Sequence, residues 1–206
     1  MASLTTEPLT PTVGAAVLGV DADRLVHDDD LPAATLDALE AHGALVFRGL
    51  HLDDATQVAF SKRLGRVEVF GKGKHPEIFR VTLDKTKNRA AQYLKGTFDW
   101  HIDGMTEDIP IMATLLSAHA VATTGGETEF ASTYAAYDHL DPADQQRYEQ
   151  MRVVHTIAAS QRHANPNPTP EVRAMWDARP PKVHPLVWRH NSGRKSLVLG
   201  ATASHV

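Results

Sequence analysis

From Ala44 onward the chain breaks into short apolar runs bounded by glycine and proline turns. That rhythm is the strongest constraint on its fold, because it demands many short strands stacked as a sandwich or closed as a barrel. Met112 to Val121 is the longest such run, and the Gly125-Gly126 turn returns the chain through Thr128 to Ser132 as its expected neighbour. Val67 to Phe70 and Ile78 to Thr82 read as short strands joined by Gly71-Lys72-Gly73, and Val153 to Ala158 as another. Val183 to His190 and Arg194 to Gly200 read as a hairpin across Asn191-Ser192-Gly193. Helices are fewer. Residues 32–42 form one, with Pro32 in its first turn and Gly43 as its stop, followed by a buried strand from Ala44 to Arg48. Asp54-x-x-Gln57 resembles a capping box for a second helix ending at Gly65, and Pro142 to Met151 reads as a surface helix. Ser160 to Lys182 holds five prolines and reads as a long loop, the kind that forms a lid or substrate wall.

At 206 residues, 42% hydrophobic and 22% charged, the chain suffices for one well-buried core, so a single domain is expected. A net charge of −4 with both signs interspersed excludes the basic stripe of a nucleic-acid face. The absence of cysteine removes disulfides and zinc thiolate sites together. No apolar run approaches the length of a membrane span or a signal segment, and the expected location is the cytoplasm.

Trp100-His101-Ile102-Asp103 carries the chemistry. An imidazole and a carboxylate two residues apart on a strand share a face, which is two thirds of a 2-His-1-carboxylate site for non-haem Fe(II). His-x-Asp also occurs at His27/Asp29, His51/Asp53 and His139/Asp141. The first lies in an acidic run, in the second Asp53 reads as a helix N-cap, and the third precedes Pro142 at another helix start. Only His101/Asp103 lies beside a bulky aromatic with no cap to make, followed by an alternating segment and a Gly-Gly turn.

The order of these segments resembles the TauD/TfdA family of Fe(II)- and 2-oxoglutarate-dependent dioxygenases, the taurine dioxygenase-like enzymes, over nearly the whole chain. The matching runs are Gly14 to Asp21, Gly43 to Gly49, Gln57 to Gly65, Trp100-His101-Ile102-Asp103, Thr124-Gly125-Gly126-Glu127-Thr128, Tyr134 to Leu140 with Asp141-Pro142, and His184 to Leu197. The resemblance implies a mainly β fold with flanking helices, the double-stranded β-helix or jelly roll of clavaminate synthase-like proteins. It implies Fe(II) and 2-oxoglutarate as cofactors, with His101 and Asp103 as metal ligands and catalytic pair, and with Thr128 hydrogen-bonding the far carboxylate of 2-oxoglutarate. Succinate and CO2 would be released as a small, anionic substrate is oxidised: a sulfonate, a sulfate ester or an aryloxyalkanoate. Loops 71–75, 92–99 and 160–182 would build its pocket, with Lys72, Lys74 and Lys95 as candidate anion contacts. The expected partners are that small molecule and molecular oxygen, with self-association into a homo-oligomer through an uncovered sheet edge, and neither nucleic acid nor a membrane.

The family's third ligand, a His after a Trp-Asp-Asn segment, and the Arg that grips 2-oxoglutarate fall several tens of residues past the last matching element. The chain is therefore expected to be truncated before them. His184, His190 and His205 are poor replacements, Arg194 reads as a solvated hairpin residue, and His155, His119 and His75 read as half-buried or surface imidazoles. Three alternatives stay open: a dioxygenase fragment, a non-catalytic binding module of the same fold, and, more distantly, a metal hydrolase using His101, Asp103 and another His.

Overall fold

The computed structural model describes residues 4–88, 90, 91 and 93–206, and Gln92 of the expected pocket loop 92–99 lies outside them. Two compact units divide the chain, Met1–Phe79 with Leu115–Ser132, and Arg80–Thr114 with Thr133–Val206.

In the first unit, β1 (Thr5–Pro8) pairs antiparallel with β2 (Ala15–Leu18), and β2 pairs parallel with β3 (Leu45–Phe47) in the order β1-β2-β3. The parallel pair needs a crossover, supplied by α1 (Ala22–His27) and α2 (Leu31–His42). The expected helix over 32–42 is therefore present. Pro32 lies in its first turn, and Gly43, at φ 72°, returns its N–H to the Leu39 carbonyl as the stop. β3 is half-buried rather than buried. The helix α3 (Asp54–Leu64) follows, but its cap is Asp53, whose carboxylate accepts from the Thr56 N–H at 2.8 Å. The Asp54-Gln57 pair is thus no capping box, since Asp54 is already inside the first turn. Leu25, Leu31 and Phe60 form the core of this unit with Phe47, Leu50, Leu64 and Leu115 against them. Arg63 of α3 reaches back to donate to the carbonyls of Leu25 and Asp28, at 2.6 and 2.7 Å, which ties α3 to α1 and its C-terminal cap.

Several expected strands do not form. Val67–Phe70 and Ile78–Thr82 carry no ladder, although Phe70 N–H bonds the Pro76 carbonyl and the Phe70 and Phe79 rings meet at 5.6 Å. Met112 to Val121 and Thr128 to Ser132 are likewise not strands. Burial does alternate from Ala113 to Ala118, but a period of two sets faces and supplies no hydrogen-bonding neighbour.

The second unit contains a short 3₁₀ helix (Tyr93–Phe98), α4 (Thr133–Asp138), α5 (Pro142–Tyr148), β4 (Arg152–His155), α6 (Ile157–Gln161), α7 (Pro170–Asp177), β5 (Lys182–Pro185), β6 (Val187–Arg189), β7 (Lys195–Leu197) and β8 (Ala203–His205). One sheet has the order β5-β4-β8 and the other pairs β6 with β7, so the expected hairpin forms only over 187–197, while its outer arm separates as β5 and pairs with β4. The strand expected over Val153 to Ala158 stops at His155, because Thr156 turns its hydroxyl onto the Ala159 N–H at 3.0 Å and caps α6. The long loop expected over 160–182 contains α7. Thr169 caps it and Pro170 opens it, so the proline that suggested irregular chain is a helix start.

Met105, Val153, Leu186 and Val198 form the core here, with Ile102, Tyr148, Met151 and Trp188 packed on it. Around it, Tyr137 of α4 donates to Glu149 and Lys195 of β7 donates to the same carboxylate oxygen at 2.6 Å. Lys195 and Tyr137 hold the Glu149 carboxyl below its usual range, while burial and then Glu149 push the Tyr137 phenol up. Among the described residues no helix is long and apolar enough to cross a membrane.

Candidate active site

Trp100 to Asp103 is not a strand, yet its alternation survives. Ile102 packs into the core of the second unit, so the side chains on either side of it, His101 and Asp103, stay accessible at 33% and 49%. His101 Nε2 and Asp103 Oδ1 lie 3.6 Å apart. Each group is held from behind. His101 Nδ1 donates to the Asp99 carbonyl at 2.8 Å, and Thr114 Oγ1 donates to Asp103 Oδ2 at 2.7 Å.

The backbone is fixed just as closely. The Ala201 N–H bonds the Trp100 carbonyl at 2.8 Å, and a Cβ on Gly200 would stand 3.0 Å from His101 Cα, so only glycine lets residues 200–201 lie against the motif without displacement. Gly104, at φ +77°, turns the chain, and a Cβ there would meet the Ile111 nitrogen at 2.6 Å. Upstream, Gln161 Nε2 donates to the Tyr93 carbonyl at 3.2 Å, and His163 Nδ1 donates to Asp99 Oδ2 at 2.9 Å. Asp99, Thr114, Gly104 and Gly200 were not legible as site residues, since their parts depend on where a turn returns the chain.

The other His-x-Asp pairs are separated by ordinary structural duties. His27 faces Asp23 while Asp29 pairs with Arg63, Asp53 caps α3, and Asp141 caps α5. His139 turns back to the Ala135 carbonyl. Thr128 is not on a strand. It lies in the exposed stretch 121–131 of the first unit, whereas His101 and Asp103 belong to the second. Lys72 and Lys95 are exposed, and Lys74 lines a shallow groove with Lys62, His75 and Glu77.

His184, His190, His205 and His155 are engaged elsewhere. His184 Nε2 donates to the Met105 carbonyl at 3.1 Å, and His190 Nε2 shares a hydrogen bond with Ser196 at 2.8 Å. His205 Nδ1 lies 3.1 Å from the Ser204 hydroxyl on β8. His155 is fully buried, contrary to the half-buried or surface expectation. It bonds Thr202 through Nδ1 at 2.8 Å, and burial followed by its neighbour His184 lowers its pKa from 6.5 to about 4. Arg194 is not merely solvated, because its guanidinium stacks 3.7 Å over the Tyr134 ring.

The donor set of His101 and Asp103 fits a divalent transition metal. Imidazole nitrogen and carboxylate oxygen are the ligand types of non-haem iron sites, and both outer atoms carry the supporting hydrogen bonds such ligands need. Their free atoms, His101 Nε2 and Asp103 Oδ1, approach to 3.6 Å. Among the described residues no group of three or more His, Cys, Asp or Glu side chains gathers into a larger cluster.

The family model for the taurine catabolism dioxygenase TauD/TfdA family matches residues 5–206. The chain belongs to the TauD/TfdA dioxygenase family. Among characterised TauD/TfdA relatives, the (S)-phenoxypropionate/α-ketoglutarate dioxygenase of Delftia acidovorans is 32% identical over 214 residues, covering 97% of this chain and 73% of the relative. The α-ketoglutarate-dependent 2,4-dichlorophenoxyacetate dioxygenase of Cupriavidus pinatubonensis is 32% identical over 220 residues, covering 99% and 76%. Among solved structures, AAD-2 in complex with Mn(II) and N-oxalylglycine superimposes with a TM-score of 0.77 at 27% identity, over 98% of this chain and 71% of that one. The fold is accordingly the TauD-like jelly roll with flanking helices, and the protein is an α-ketoglutarate-dependent dioxygenase by family.

Proposed function

We propose that this TauD/TfdA member uses Fe(II) and 2-oxoglutarate to oxidise a small organic anion of the aryloxyalkanoate, sulfonate or sulfate-ester type, releasing succinate and CO2. The observation that carries the metal assignment is the 3.6 Å approach of His101 Nε2 to Asp103 Oδ1, with Nδ1 and Oδ2 already engaged on their far sides. The aryloxyalkanoate option draws support from the two relatives named for phenoxypropionate and 2,4-dichlorophenoxyacetate.

When bound, iron and 2-oxoglutarate supply the oxidation, one atom of dioxygen passing to the substrate and the other to succinate as CO2 leaves. The protein's own part is positional. The hydrogen bond from His101 Nδ1 to Asp99 keeps the proton on that nitrogen and leaves the Nε2 lone pair for the metal. Asp103 contributes one negative charge through Oδ1, so a neutral imidazole and a carboxylate together offset half of the metal's charge. Thr128 supplies a hydroxyl donor to the distal carboxylate of 2-oxoglutarate.

Anaerobic Fe(II) titration tests the metal assignment, with His101→Ala and Asp103→Ala expected to abolish binding and His27→Ala to leave it unchanged. Equal affinity in the His101→Ala and His27→Ala proteins would reject it. Succinate release, screened over a panel of small aryloxyalkanoates, sulfonates and sulfate esters, then identifies the substrate class. A protein that binds iron yet releases no succinate with any of them would favour a non-catalytic binding module.

A further inference from the structure

We infer that Thr114 is a positioning residue that selects which oxygen of Asp103 is presented to the metal, an inference that rests on the iron assignment above. A carboxylate can meet a divalent ion through either oxygen or both, and rotation about its terminal bond interchanges them. Thr114 Oγ1 donates to Oδ2 at 2.7 Å, and Oδ1 is the oxygen that faces His101 Nε2. A hydroxyl has one proton to give, so this bond marks the two oxygens as different before any metal arrives. It also draws electron density toward Oδ2 and away from a second metal bond.

Sequence separation makes the contact informative. Thr114 is eleven residues beyond Asp103, and the chain returns only because Gly104 turns at φ +77° with the Ile111 nitrogen close against it. The Glu107 N–H to Gly104 carbonyl bond, 3.0 Å, closes the same turn. Threonine suits the task because its branched Cβ restricts χ1, so the hydroxyl is held with little freedom to lose. Both partners are exposed, and a hydrogen bond there contributes little to folding. Thr114 therefore separates metal binding from stability.

The experiment titrates the purified protein anaerobically with Fe(II) alone and follows thermal unfolding of the metal-free form beside it. Thr114→Val keeps the shape and removes the donor. It should weaken Fe(II) binding about tenfold or more, the usual effect of deleting a group that orients a metal ligand, with the metal-free midpoint unmoved. Thr114→Ser should restore most of the affinity. In an Asp103→Ala background Thr114→Val should cost nothing further. Substituted Co(II) should show an altered visible spectrum in Thr114→Val and the parent spectrum in Thr114→Ser. Unchanged Fe(II) affinity in Thr114→Val would overturn the inference, as would Thr114→Ser behaving like Thr114→Val, or an undiminished effect without Asp103. If His101→Ala abolishes binding while Thr114→Val does not, only the role of Thr114 falls. If neither His101→Ala nor Thr114→Val changes binding, the iron assignment falls with it.

Discussion

His163 Nδ1 donates to Asp99 Oδ2 at 2.9 Å, and the carbonyl of the same Asp99 accepts from His101 Nδ1 at 2.8 Å. Two contacts in series thus join the connection between α6 and α7 to the candidate metal ligand. The outer one is a solvent-exposed pair, and such pairs contribute about 0.2–1 kcal/mol. His163→Ala should therefore change Fe(II) affinity by less than about fivefold, measured by the anaerobic titration. A loss approaching that of His101→Ala would show that Asp99 cannot hold its carbonyl without His163.

Thr128→Val keeps the side-chain shape and removes the donor proposed for 2-oxoglutarate. A charge-assisted hydrogen bond is worth about 1.5–3 kcal/mol, so the apparent 2-oxoglutarate affinity of the active enzyme should fall about tenfold or more. Unchanged affinity would leave Thr128 an ordinary exposed threonine.

Gly104→Ala should destabilise the protein by about 1–3 kcal/mol, because alanine is strained at positive φ and its Cβ would press on backbone rather than on a yielding side chain. Gly193, at φ +86° with open space where a Cβ would stand, provides the matched control. Urea unfolding of Gly193→Ala should show the smaller loss, and only Gly104→Ala should also weaken Fe(II) binding. Equal effects on both measurements would deny the close approach at Ile111 any part in the site.

The buried His155 ring makes stability depend on acidity in a defined direction. Its folded pKa is about 4 against 6.5 for the free side chain, from burial first and His184 second. Between those values the unfolded chain binds more protons, so the contribution of the neutral ring is complete above pH 6.5 and is lost as pH falls toward 4. The loss amounts to about 3 kcal/mol. His155→Asn, which keeps a donor for Thr202 without a titrating ring, should flatten the unfolding free energy over that range. Parallel profiles for parent and variant would place the acid sensitivity elsewhere.

The local duties of the competing His-x-Asp pairs, such as the caps at Asp53 and Asp141, were legible from sequence spacing alone. The helix α2 and the β6-β7 hairpin were legible for the same reason, their stops and turns being written in adjacent residues. Thr114 was not, since its partner is chosen by the turn at Gly104 and not by any repeat. Met112 to Val121 misled because alternation reports which side chains face inward and is silent about a neighbouring strand. Thr156 misled in the opposite sense. It is a good strand residue by propensity and instead caps a helix, where a single side-chain hydrogen bond outweighs that preference.

Ile102, placed between the two candidate ligands, joins the proposed metal site to the core of Met105, Val153, Leu186 and Val198. His101 and Asp103 cannot separate far without drawing Ile102 out of that packing, so their spacing is settled during folding and an ion bound as proposed would meet a preformed pincer. Conversely, an ion seated there resists the opening of the core itself: at a free concentration a hundred times its dissociation constant it would add about 2.7 kcal/mol to the folded state. On the proposed assignment, metal occupancy and the cohesion of the second unit would be one thermodynamic quantity seen from two sides.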